Sequence, residues 1–197
     1  MRYGHWLSVV VAVAGAGALV AADSVPAPGS STSYPVVIDA AVGGKTVKMA
    51  LTGTAMRTKF IVNVYAIGSY VQQGAGVRSA EALAAADCAK RLHLVMERDG
   101  AGKDMAEAFR AAVRMNHAAP AFDAEVNTLC QFMRDTSLRK GEHVVLTHVP
   151  GVGLHCNVAG RADFTIKNVR FSQAVWEIYL GKNNLGDGIK KGLVSRL

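Results

Sequence analysis

The order of predicted elements gives an α+β domain built on a mostly antiparallel sheet. Two patterns carry that reading. Strand signals come in pairs joined by short glycine turns, and helical periodicity comes in blocks rather than after every strand. Length agrees: about 160 residues follow the N-terminal leader, which fits one domain and buries a full core without disulfide staples.

The elements follow in chain order. Residues 34–42 (YPVVIDAAV) are apolar and β-branched, and Gly43-Gly44 is a two-residue turn into 45–51, where Val47, Met49 and Leu51 alternate with Lys48 and Ala50. That is a hairpin signal. Residues 58–72 (TKFIVNVYAIGSYVQ) predict one long strand, with Gly68 marking a bulge or a close backbone approach. Ser79 opens a short helix to residue 89, and 91–97 (RLHLVME) alternates as a strand. Residues 103–115 and 120–133 carry apolar side chains at helical spacing and read as a helical hairpin broken at 116–120. A second β-hairpin spans 142–158 around Pro150-Gly151-Val152-Gly153, and 163–166 is a short third strand. Asn168 can cap a helix through Leu180 that Gly181 stops, and a last helix covers 185–197. No internal repeat is present.

The N-terminus reads as an export signal. Arg2 is the basic start, 7–19 is the apolar run, and Val20 and Ala22 place small side chains at −3 and −1, predicting cleavage before Asp23. Gly15 and Gly17 dilute the run below what a membrane-spanning helix needs. Residues 23–34 (DSVPAPGSSTSY) are expected to be a flexible leader. The domain would then work in the periplasm or outside the cell.

The net charge is +7, or +6 once Arg2 leaves with the signal. The basic residues are scattered, without the cluster or aromatic-interleaved stripe that nucleic acid needs. They suit a solvated surface or a mild peripheral attraction to anionic membrane. The three cysteines (Cys88, Cys130, Cys156) are widely spaced with no CxxC. Either one pair bridges or they are small buried apolar side chains.

No nucleophile elbow, zinc-protease helix or P-loop occurs. If Val149 pairs with Leu154, His148 faces His155 across a hairpin, but no third ligand accompanies them and no metal is expected. No cofactor is expected either. Arg57 stands at the entry to the most apolar strand, with Tyr65 and Tyr70 on that strand at opposite parity. An arginine beside a tyrosine hydroxyl suits a carboxylate: bidentate charge-assisted bonds plus one O–H donor. A surface arginine at a strand start is the plainer alternative.

The stretch 53–71 (GTAMRTKFIVNVYAIGSYV) resembles the core strand of the chalcone isomerase superfamily, in particular its exported bacterial chalcone isomerase-like proteins. Residues 174–181 (AVWEIYLG), 189–197 (IKKGLVSRL) and Arg98-Asp99 agree in order and spacing, so the resemblance covers 35–197. It implies an open-faced β-sandwich, a large antiparallel sheet with helices layered on one face. The plant enzymes of the superfamily close a chalcone to a flavanone with an arginine and a polar set of Thr, Tyr, Asn and Thr. Here the arginine matches Arg57, while the polar positions fall on Tyr65, Phe122, Leu129 and Ile178. The water-organising tyrosine network is lost with Phe122. That pattern resembles the non-catalytic branch, which includes fatty-acid binders. The resemblance therefore implies a greasy cleft with one cationic end, Arg57 with Tyr65 or Tyr70 as head-group clamp, and Phe122, Leu129, Val126, Ile178 and Trp176 as candidate walls. No catalytic residue is assigned. The alternatives are a residual lyase or isomerase of chalcone isomerase type and an envelope interaction module with a filled cleft.

Overall fold

The computed structural model describes residues 23–197, so the signal-like segment lies outside the described residues. The stretch expected to be a flexible leader is folded. β1 (Ser24–Pro26) pairs antiparallel with β2 (Ser33–Pro35) as a small separate sheet. The physical reason is one aromatic ring. Tyr34 is 1% exposed and lies over Gly68, where an added Cβ would sit 2.5 Å from the ring. Composition counts few apolar residues in 23–34, but one ring over one glycine anchors the hairpin. Of the two roles open to Gly68, close approach is the one realised.

The main sheet has seven antiparallel strands in sequence order. β3 (Val37–Val42) turns through Gly43–Gly44 into β4 (Lys45–Lys59). β5 (Val62–Gln72), β6 (Lys90–Met96), β7 (His143–Val149), β8 (Gly153–Val158) and β9 (Ala162–Ile166) follow. The expected long strand over 58–72 is instead two strands. β4 runs to Lys59, Phe60 and Ile61 make a two-residue turn, and β5 starts at Val62. No glycine, asparagine or proline announces that turn, so its apolar residues read as strand.

Alternation splits the sheet into two faces. Ile67, Leu92, Leu94, Leu146, Leu154 and Cys156 join the core beneath the helices. Ala66, Tyr70 and Val95 join Tyr34 and Met49 in a second cluster on the opposite face. The helices are α1 (Ala80–Ala85), α2 (Gly102–Arg114), α3 (Asp123–Arg134), α4 (Val169–Leu180) and α5 (Asp187–Leu193). Two caps are as expected: the Ala82 N–H donates to Ser79 Oγ and the Phe171 N–H to Asn168 Oδ1. The last helix is shorter than expected because the tail leaves it, and the Arg196 N–H donates to Thr52 O at 2.9 Å.

The β7–β8 register differs from the expected one. Val149 faces Gly153, so His148 faces Leu154 and His155 faces Thr147. Gly153 enters the ladder at φ 143°, where a Cβ would meet Ile166 O at 2.2 Å. The two histidines therefore do not face each other. His148 is buried, its ring nitrogens 2.8 Å from Ser172 Oγ and 2.8 Å from Asp87 Oδ1. His155 lies 3.2 Å from Asp163. All three cysteines are free, Cys130 and Cys156 buried and Cys88 half-buried.

Candidate functional site

Between the helix-covered face of β4–β8 and helices α2, α3 and α4 lies a cavity of about 640 Å³. Its inner wall is aliphatic: Leu94 and Leu146 rise from the sheet, and Leu129, Val175 and Ile178 descend from α3 and α4. Met105, Phe109 and Met133 add soft and aromatic surface from the helical hairpin. Exposed residues Lys59, Phe60, Asp99 and Asp104 also line it and mark its mouth.

Arg57 enters the lining because of a register shift. The β4–β5 pairing slips at Leu51/Gly53, leaving Thr52 unpaired in the ladder. After the bulge, Gly53, Ala55 and Arg57 pair with Ser69, Ile67 and Tyr65. Arg57 and Tyr65 are thus direct cross-strand neighbours on the helix side. Arg57 donates one bond from Nη1 to Thr58 O at 2.8 Å. Among the described residues no ion pair involves Arg57, Lys59 or Arg98, so the remaining guanidinium donors are uncommitted to a carboxylate.

Tyr65 meets a second hydroxyl. Its oxygen lies 3.0 Å from Tyr179 Oη, which α4 brings down onto the sheet. Burial pushes both phenols above their ordinary range, while Arg57 pulls each back. Both are protonated at neutral pH. Two hydroxyls sharing one hydrogen bond leave one O–H to donate elsewhere.

The expected site residues separate into two groups. Arg57, Tyr65, Leu129 and Ile178 line the same cavity. Tyr70 does not: it projects from the opposite face, fully buried, and donates to Pro35 O at 3.1 Å. The bulges fall in the β4–β5 pairing near Leu51 and Arg57, so Tyr65 and Tyr70 keep opposite parity. Phe122 also lies outside the lining. It precedes α3 at φ 58° and stacks near His117 and Phe171, at 5.1 and 5.8 Å between ring centroids. Val126 and Trp176 are core residues away from the cavity, and the Trp176 ring lies 5.1 Å from Lys90 Nζ. Among the cavity residues that sequence reading did not assign to the site, Tyr179 is the one bonded to Tyr65. Its inward position on a helix is legible, but its meeting with a tyrosine 114 positions away is not.

Known proteins agree with this architecture. No curated protein matches the chain in sequence. Among solved structures, the crystal structure of a fatty-acid binding protein from Arabidopsis thaliana superposes with a TM-score of 0.70 at 18% identity. The match covers 88% of this chain and 96% of that one. The chalcone isomerase-like family model matches residues 35–195. The curled seven-stranded sheet with helices on one face, and a family match spanning nearly all of it, make this chain a member of the chalcone isomerase-like family.

Proposed function

We propose that the protein binds a fatty acid or similar apolar carboxylate without transforming it. The observation that carries this reading is an aliphatic inner cavity with Arg57 in its lining beside the Tyr65–Tyr179 hydroxyl pair. Arg57, with a spare O–H from the Tyr65–Tyr179 pair, is a donor set for a carboxylate. The aliphatic wall behind it takes a hydrocarbon tail. Two positions that carry polar catalytic groups in the resembling plant enzymes, Leu129 and Ile178, are aliphatic walls here. The Arabidopsis thaliana neighbour, a fatty-acid binding protein by title, supports the same ligand class.

The reading also places the domain outside the cytoplasm, after cleavage near Ala22. N-terminal sequencing of the mature protein, with Asp23 expected first, checks this.

Native mass spectrometry after gentle purification tests the binding. The wild type should carry a co-purifying apolar carboxylate and bind added oleate. Arg57→Ala should lose roughly tenfold to a hundredfold in oleate affinity, the worth of one to two charge-assisted bonds. A wild type that is empty and indifferent to oleate, with Arg57→Ala unchanged, would sink the reading in favour of a filled interaction module. Turnover of a chalcone by the wild type would replace it with an isomerase.

A further inference from the structure

The β4–β5 turn presents two large apolar side chains to solvent at the mouth of the cavity. Phe60 is 93% exposed and Ile61 95%. Neither is needed for the fold: the hairpin is closed by the Lys59–Val62 and Thr58–Asn63 pairs and by the Thr58 Oγ1 bond to Asn63 Oδ1 at 3.1 Å. Phe60 moreover sits at φ 55°, a conformation that disfavours any residue with a Cβ and that asparagine or glycine would take more readily. The turn thus bears conformational strain and holds its two apolar side chains in water.

Cations outnumber carboxylates around them. Arg57, Lys59 and Arg98 line the same end of the cavity as Phe60, without ion pairs among the described residues. The Lys140 backbone N–H donates to Asp99 Oδ1 at 2.8 Å and holds that carboxylate. Asp99 and Asp104 are the carboxylates among the lining residues. Exposed apolar tips inside a basic rim match the chemistry of an anionic bilayer: acyl chains below, phosphates above.

We infer that the β4–β5 hairpin tip docks on an anionic lipid bilayer, with Phe60 and Ile61 entering the interface and the basic rim meeting the headgroups. That contact seats the cavity mouth on the membrane. Resting on the carboxylate-binding reading, the docked state is the one in which ligand passes between bilayer and cavity without crossing water.

Vesicle sedimentation tests the docking. The purified protein is mixed with vesicles of phosphatidylcholine alone or with about a third phosphatidylglycerol. The wild type should bind the anionic vesicles, and binding should weaken as salt is raised. Ile61→Asp should lower partitioning about tenfold, whereas Ile61→Leu should keep it. Ile61 does not line the cavity, so oleate affinity in vesicle-free buffer should be the same in all three. In Ile61→Trp, emission should shift to the blue on anionic vesicles only. Because the variants share the wild-type N-terminus, any contribution of residues 1–22 cancels. Equal partitioning of wild type and Ile61→Asp, or an unshifted tryptophan, overturns the proposal. So does a variant whose only change is the loss of a dimer in solution, since the tip would then face a second copy. Oleate binding without vesicle docking would fail the docking alone. Docking by a protein that does not bind oleate would fail the carboxylate reading alone.

Discussion

Lys90 is a fully buried cation with no carboxylate at its nitrogen among the described residues. Its Nζ donates to Leu83 O at 2.8 Å and Ala84 O at 2.6 Å, the open carbonyls at the end of α1, and lies over the Trp176 ring. Burial pulls its pKa down to about 8, against the opposing pull of Cys88, Asp87 and Glu177. Between pH 8 and 10 the unfolded chain holds this proton and the native state does not, so this group stabilises the fold increasingly as pH rises. The buried cysteines act in the opposite sense, because burial raises their thiols. The difference between two proteins isolates the lysine. The unfolding free energy of wild type relative to Lys90→Met should increase by roughly 2–3 kcal/mol from pH 8 to pH 10 in urea titrations. A difference independent of pH would mean that the native ammonium keeps its proton. Nearby, His148 bridges Asp87 and Ser172, and Asp87 also accepts the Gly151 N–H at 3.1 Å. This Ser–His–Asp row is closed to solvent at the serine and ties α4 to β7 and to the β7–β8 turn. Ser172→Ala orphans one buried ring nitrogen and should cost about 1–3 kcal/mol of stability by denaturant unfolding.

The element that fixes the site is β4, and what fixes β4 is α5. Thr52, bulged out of the ladder, donates to Leu193 O at 2.8 Å. Gly53 at φ 154° brings its backbone so close to α5 that a Cβ would meet Gly192 O at 2.0 Å. Gly192 returns the constraint: a Cβ there would sit 2.6 Å from Thr54 O. These glycines belong to 53–71 and 189–197, two of the stretches that carry the family resemblance, and the seam gives the physical reason they go together. Gly53→Ala should destabilise by about 3 kcal/mol or more, since both the conformation and the space forbid a Cβ. It should also disturb Arg57, four residues on. A thermal melt with an oleate titration checks both, and an unchanged melting temperature would show that the seam yields easily. At this scale strands, helices and caps were largely legible from periodicity. The Phe60–Ile61 turn was not, because two exposed apolar residues imitate a strand interior.

Across the whole molecule, the cavity exists because the helix layer stands off the sheet, leaving Leu129 and Ile178 on one side and Leu94 and Leu146 on the other as its lining. A ligand that fills it stabilises the native state by mass action. Oleate at about a hundredfold over its Kd should add roughly 2.7 kcal/mol, or about 5–10 °C in Tm for a domain of this size. Leu129→Trp fills the same space from α3. It should abolish that oleate shift while leaving the ligand-free protein within about 1–3 kcal/mol of wild type, the usual cost of overpacking. An oleate shift that survives Leu129→Trp would place the ligand elsewhere.

The α+β class, the antiparallel order, the helix caps at Ser79 and Asn168, and Arg57 with either Tyr65 or Tyr70 as its partner could be read from the chain alone. These follow from local periodicity, capping chemistry and parity, all of which act over a few residues. Tertiary structure decided what depends on distant neighbours. It folded residues 24–35 by laying Tyr34 on Gly68, sent Tyr70 to the far face, kept Phe122 out of the cavity and brought Tyr179 to Tyr65. Each of those outcomes turns on register or close approach between segments far apart in sequence; burial of one face and turn geometry together fix a register, and local periodicity names neither the partner strand nor the turn.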